Sequence, residues 1–214
     1  IDGRKIAKQI REDIAKEVET FERPPGLAVI LVGEDPASAV YVRNKELACI
    51  EAGFFSDKII KSENTTQEEL LDEIERLNNN PRIDGILVQL PLPSHIDSSK
   101  VIEHISPNKD IDGFHSENIG KLTQNKSNLR PCTPKGVMTM LASIGCEVRG
   151  KDCVVVGASN IVGKPMALEL LNAGGTVTIC NSKTKDTAEK TRSADIVVVG
   201  VGIPKLVKGD WVKD

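Results

Sequence analysis

Four short apolar runs alternate with helical stretches along this chain, and that alternation limits the folds open to it. Leu27–Val32, Ile86–Leu90, Cys153–Val156 and Ile196–Val199 are close to continuously apolar rather than alternating apolar with polar. A strand with two apolar faces is buried on both, as in a parallel sheet covered by helices. The intervening segments read as those helices. Residues 4–20 set Ile6, Ile10, Ile14 and Val18 on one face;. Asp35-Pro36 opens a helix that Gly53 ends, by an acidic cap, a first-turn proline and a terminal glycine;. Thr66-x-x-Glu69 is a capping box, and Leu70, Ile74 and Leu77 follow at helical spacing;. The expected fold class is α/β with a mainly parallel sheet.

A length of 214 residues suits two modest domains;. The first, residues 1–130, adds a weak strand near Lys58 to Lys61 and ends in a polar loop, Ser106 to Arg130. Thr133-Pro134 caps a helix over Lys135 to Ile144, ended by Gly145. The second domain, residues 131–214, runs strand, glycine turn, helix to Ala173, strand Thr176 to Cys180, short helix around Thr184 to Ser193, strand. That β-α-β-α-β order is one mononucleotide-binding half of a Rossmann-like fold. A complete doubly wound domain needs more strands, so the chain is expected to be truncated. It also begins at Ile1 rather than Met, with a few residues expected ahead of it.

Bulk properties exclude several classes. A net charge of −3 exerts no general pull on nucleic acid or anionic membrane;. No apolar run approaches the ~20 residues of a membrane span, and Asp2, Arg4 and Lys5 interrupt any signal-peptide core;. The five cysteines are odd in number and form no C-x-x-C pair, and the three histidines lack metal-ligand spacing. Neither a disulfide framework nor a metal site is expected, and a reducing cytoplasm is the expected compartment.

Gly157-x-Ser159-x-x-Val162-Gly163 lies between a strand and a helix, the context of a phosphate-binding turn;. Gly157 allows the tight turn, and Ser159 stands ready to donate its hydroxyl to a pyrophosphate. A βα turn without a ligand is the alternative. The ribose is read about 20 residues further on, where an NAD site places an acid. Here the strand ends in Asn181-Ser182-Lys183, whose donors suit a 2′-phosphate and favour NADP.

Ser38, Tyr41 and Lys45 share one face of the helix after Asp35-Pro36;. Tyr41 is the only tyrosine. A phenol and an amine so stacked, with a hydroxyl one turn back, form a possible proton relay. An ordinary exposed pair is the alternative. Tyr-x-x-x-Lys also marks short-chain dehydrogenases, but there it follows the dinucleotide turn, whereas here it precedes it.

The stripe has company. Gln89 is a polar residue at a buried strand's end, in Gln89-Leu90-Pro91-Leu92-Pro93. Lys109-Asp110-Ile111-Asp112-Gly113 places two carboxylates in a loop, and Pro131-Cys132-Thr133-Pro134 precedes a helix. With Gly33-x-x-x-Ala37-Ser38-x-x-Tyr41-x-x-x-Lys45 and Gly157 through Pro165, these segments resemble the bifunctional methylenetetrahydrofolate dehydrogenase/cyclohydrolase family across nearly the whole chain.

The resemblance implies oxidation of 5,10-methylenetetrahydrofolate with NADP, then hydrolysis of the methenyl product to 10-formyltetrahydrofolate, in one-carbon metabolism. It implies Lys45 as the central catalytic lysine, Tyr41 as the residue packed on the reacting region, and Gln89 as the lysine's hydrogen-bond partner. It implies Asp112 as the reader of the pterin's N–H groups and Ser38 in the pocket lining. Gly157, Ser159, Val162, Gly163, Ser182 and Lys183 are the expected cofactor-binding residues. Tetrahydrofolate derivatives and a second copy of the chain, paired through the cofactor domains, are the implied partners. Water addition to a cationic carbon needs proton transfers, which a lysine able to cycle through its neutral form supplies. Two departures stand out. The family's later Pro-Gly-Gly-Val-Gly-Pro segment and closing helix are absent, and Ala158 stands where many members carry an arginine. They keep two alternatives open: a truncated, noncatalytic folate- or nucleotide-binding protein, and an NAD-dependent monofunctional dehydrogenase.

Overall fold

The computed structural model describes residues 1–213; Asp214 and the side chain of Ala37 lie outside the described residues. The chain divides into two units, one of Asp2–Ser116, the other of Ile1 and the chain from Glu117 onward. The division falls ahead of residue 130, where the sequence placed its boundary.

The first unit opens with α1 (Gly3–Val18), capped by Asp2, whose carboxylate accepts from the Arg4 and Lys5 N–H groups. Of its apolar stripe Val18 is buried, while Ile10 is exposed. Then follow β1 (Gly26–Val32), α2 (Pro36–Glu51), β2 (Phe55–Lys61), α3 (Gln67–Asn78), β3 (Gly85–Val88) and α4 (Ser98–His104). The strands form one parallel sheet in the order β2-β1-β3. Successive residues of β1 face opposite ways. Ala28, Ile30 and Val32 pack with Leu70, Ile74 and Leu77 of α3, and Val29 and Leu31 with Val42 of α2. Each fully buried Leu or Ile contributes about 1.5–3 kcal/mol. The capping box closes as the sequence predicts: Glu69 N donates to Thr66 Oγ1 at 3.2 Å and Thr66 N to Glu69 Oε2 at 2.8 Å.

The expected polar loop from Ser106 to Arg130 is more ordered than its composition implies. Ile86 N donates to Lys109 O at 2.7 Å, and Asp110 bridges beside β3. Helix α5 (Ser116–Thr123) then forms, burying Asn118 and Leu122.

The second unit continues with α6 (Cys132–Ser143), β4 (Asp152–Val156), α7 (Gly163–Asn172), β5 (Thr176–Cys180), α8 (Thr187–Ser193), β6 (Ile196–Val199) and a 3-10 turn at Gly209–Trp211. Pro131, not Thr133, takes the cap position of α6, with no side-chain cap bond. Thr133 is therefore inside the helix. The sheet is parallel, ordered β5-β4-β6. In the standard mononucleotide-binding half the third strand lies outside the second. Here it returns to the other side of the first. Val155 packs with Met166 and Leu170 of α7, and Val154 with Ala194. Among the described residues no helix is long and apolar enough to cross a membrane.

Candidate active site

Both sheets have the order second-first-third, so each has a switch point between its first and third strands. Ligands of α/β sheets bind beyond the strand carboxyl ends at such points. In the first unit that place lies beyond Val32 and Val88.

Helix α2 leaves β1 there. Asp35 Oδ2 accepts from Ser38 N at 2.7 Å, and the Ser38 bonds hold the Asp35 carboxyl below its usual range. Ser38 is itself buried. Its visible duty is in the start of the helix. One and two turns on stand Tyr41, 62% exposed, and Lys45, half-buried. Gln89 follows β3 directly, and its N–H donates to Ile30 O at 2.9 Å, which extends the ladder by one rung. That rung fixes the side chain. Lys45 Nζ donates to Gln89 Oε1 at 3.1 Å, and Gln89 Nε2 donates to Leu90 O at 2.7 Å.

The two carboxylates of the Lys109–Gly113 loop have different duties. Asp110 is buried, and its Oδ2 accepts from His115 N at 2.8 Å. Lys109 Nζ donates to Leu77 O at 3.1 Å and Asn80 O at 2.9 Å, at the end of α3. Both residues anchor the loop. Asp112, between them and Gly113, feels the charge of Lys45. Burial raises its carboxyl above the ordinary range, Lys45 draws it down, and Asp110 raises it. Gly85 makes the approach possible, since a Cβ there would lie 2.4 Å from Ile111 Cγ2.

In the second unit the switch point lies beyond β4 and β6. Gly157 has φ +122°, and a Cβ on it would stand 2.4 Å from Gly200 O. The turn and the loop after β6 therefore touch backbone to backbone. Ser159 Oγ accepts from Val162 N at 3.1 Å and Gly163 N at 3.3 Å. This hydroxyl serves as acceptor to the turn's own N–H groups and keeps its proton for an outward acceptor. Val162 and Gly163 shape the turn. The walls of the adjoining cavity, of about 600 Å³, come from Gly157, Ala158, Ser159 and the turn after β5.

That turn is stapled to itself. Asn181 N donates to Thr184 Oγ1 at 2.9 Å and Lys183 N to Asn181 Oδ1 at 2.8 Å. Asn181, Ser182 and Thr184 line the cavity; Lys183 is exposed and outside its walls. No arginine or lysine lines it among the described residues. The strand ends Val156 and Cys180 also line it, and sequence reasoning missed Thr187, the Gly200–Ile203 loop, Leu206 and Trp211, which complete the wall. The signal for the loop was Gly200-x-Gly202 at a strand end; Trp211 had none. Among the described residues no cluster of His, Cys, Asp or Glu is suited to a metal ion.

Known proteins resemble both parts of this chain. Residues 1–112 match the tetrahydrofolate dehydrogenase/cyclohydrolase catalytic domain and residues 131–214 its NAD(P)-binding domain. The bifunctional protein FolD of Ruthia magnifica subsp. Calyptogena magnifica is 66% identical over 213 residues, covering 100% of this chain and 77% of the relative. The bifunctional FolD structure from Campylobacter jejuni superposes with a TM-score of 0.97 at 46% identity, over 100% of this chain and 77% of that one. The Trypanosoma brucei FolD, solved with NADP and an inhibitor, gives 0.96 at 40% identity, over 100% and 75%. The chain belongs to the tetrahydrofolate dehydrogenase/cyclohydrolase family, with its catalytic domain first and its NAD(P)-binding domain second.

Proposed function

We propose that this chain oxidises 5,10-methylenetetrahydrofolate to 5,10-methenyltetrahydrofolate with NADP, and hydrolyses the product to 10-formyltetrahydrofolate. The observation that carries this reading is the Lys45–Gln89 hydrogen bond at the switch point of the first sheet, and the Asp112 carboxyl lies within the electrostatic reach of the same lysine.

Loss of hydride from the bridging carbon leaves a methenyl cation shared over two nitrogens. Water adds to that carbon and loses a proton. The bond to N5 then breaks as N5 takes a proton and the new hydroxyl loses its own, so that the carbon becomes a formyl group on N10. Lys45 passes those protons through its amine, and Gln89 holds that amine in one place. A positioned acid–base group of this kind contributes about 10²–10⁴-fold. Asp112 accepts from the pterin's N–H donors. Those bonds favour the ionised carboxylate that burial alone disfavours. Tyr41 packs on the reacting region, and Ser38 supports the helix start from which both residues project.

NADP, when bound, supplies the nicotinamide that accepts the hydride. Ser159 and the N-terminal end of α7 suit its pyrophosphate. Ser182 and Thr184, aided at longer range by Lys183, read the 2′-phosphate through hydroxyl donors. Two copies of the chain associate through the second unit. What supports this is the open edge of its sheet, where β5 leaves Thr176, Thr178 and Ile179 exposed;. Sedimentation giving a single-chain mass at micromolar concentration would overturn that part.

The test is a spectrophotometric assay of methylenetetrahydrofolate oxidation with NADP and with NAD. Faster reduction of NADP, followed by appearance of the formyl product, is expected. No turnover with either nucleotide would refute the dehydrogenase reading, and a clear NAD preference would refute the nucleotide assignment.

A further inference from the structure

The dinucleotide cavity has two kinds of wall. One is polar: Ser159 at the glycine turn, then Ser182, Thr184 and Thr187. The other is apolar: Val201, Leu206 and Trp211. A dinucleotide's phosphates and sugars need donors, whereas its bases need flat apolar cover. The order of the polar groups says which base meets the apolar wall. Pyrophosphate belongs at the strand–helix turn, at Ser159, and the ribose of the adenine half belongs at the end of the second strand, at Ser182. The apolar wall shares a cavity with that ribose reader, so the base it covers is the adenine.

We propose that Trp211 is the residue against which the adenine base packs, and that it sets much of the affinity for the adenine half of the cofactor. The inference rests on the NADP reading above and adds a residue to it. No sequence motif singles out Trp211, which lies far along the chain from the glycine turn. The structure brings it there on the short turn Gly209–Trp211, and that turn is held in place from α8. Arg192 Nε donates to Asp210 O at 2.7 Å, and Trp211 N donates to Lys208 O at 3.0 Å. Trp211 is half-buried, so part of the indole is covered by the protein and part remains available. Stacking of a base on an aromatic ring tolerates any base but needs a ring fixed beforehand. Anchoring through Arg192 meets that need.

Trp211 is the only tryptophan in the chain, so its emission reports on this wall alone. The experiment titrates the wild-type chain with 2′,5′-ADP, the adenine half of NADP, and separately with nicotinamide mononucleotide, following tryptophan fluorescence and binding heat together. The expected result is a saturable change in emission with 2′,5′-ADP that tracks the heat, and no such change with the nicotinamide half. Trp211→Ala should weaken 2′,5′-ADP binding by about tenfold, while Trp211→Phe should keep it within about threefold of wild type. Binding of 2′,5′-ADP measured by heat with unchanged emission would overturn the proposal and leave the NADP reading standing. So would unaltered affinity in folded Trp211→Ala. Failure of wild type to bind either NADP or 2′,5′-ADP would overturn both.

Discussion

Gly85→Ala tests whether the substrate loop is held by close packing on β3. Gly85 is buried, and its backbone is not left-handed, so alanine meets a collision rather than torsional strain. The new Cβ would lie 2.4 Å from Ile111 Cγ2 and 3.5 Å from Leu27 Cδ1. Carbon atoms rest about 3.5–4.0 Å apart, so the first contact must open by more than about 1 Å. Ile111 is poorly placed to retreat. Asp110 before it is locked by His115 N, and Lys109 O is bonded to β3. Overpacking of this kind costs about 1–3 kcal/mol. Any relief moves Asp112, the next residue, and a misplacement of about 1 Å in a positioning group costs up to about 10²-fold. The assay is urea unfolding by circular dichroism together with KM for methylenetetrahydrofolate. Lower stability, a raised folate KM and an unchanged KM for NADP are expected. Ile111→Ala removes the offending methyl, so the double variant should be less damaged than the two singles summed, with a coupling of about 1 kcal/mol or more. Unchanged stability and KM in Gly85→Ala, or strict additivity in the double variant, would refute the reasoning.

Further outcomes follow from the same geometry. Lys45→Met should lower methenyl hydrolysis by at least about 10²-fold, and full hydrolase activity in a stopped assay would remove Lys45 from its role. Asp112→Asn should raise the melting temperature near neutral pH while weakening folate binding. Burial raises the folded carboxyl's pKa, so its ionised form opposes folding as pH rises through that pKa; the gap to wild type should close in acid, where both side chains are neutral;. Glu169 is 4% exposed, and its Oε2 accepts from Arg130 Nη1 at 3.0 Å. Arg130→Ala would leave that carboxylate unpaired, at a cost of about 2 kcal/mol after allowing for the partly exposed arginine. Adding Glu169→Gln should recover most of it in the same unfolding experiment.

Much of the fold is legible because burial on two faces leaves an unmistakable mark. Val154–Val156 and Ala28–Val32 have no polar interruption, and parallel strands between helices are nearly the only structure they permit. The stripe on α2 is legible because the period of a helix is fixed. What the sequence hides is set by long-range contact. The side to which β6 returns is decided by packing across the sheet, which leaves no local trace. Helix α5 is hidden in a polar stretch because Leu122 is its one buried aliphatic residue. Asp110 and Asp112 look interchangeable until His115 N claims the first and leaves the second under the charge of Lys45. Ser159 reads as a ligand group, yet its oxygen is already engaged by Val162 and Gly163. Lys183 offers the right charge, yet it is exposed and is not among the residues that line the cavity.

The second-first-third strand order also bears on how the chain comes off the ribosome. In each sheet the strand made first becomes the middle one, and its second neighbour is made last. Until residues near Gly85 emerge, β1 can pair with β2 alone, and its other edge stays open along Leu27–Ile30. The same holds for Cys153–Val156 of β4 until Ile196–Val199 arrives. The most apolar strands of the protein are thus the ones that wait longest for a partner. An unfinished or stalled chain would present those edges to other chains. Slow translation between residues 61 and 85, or between 180 and 196, is where aggregation of nascent protein is expected to begin.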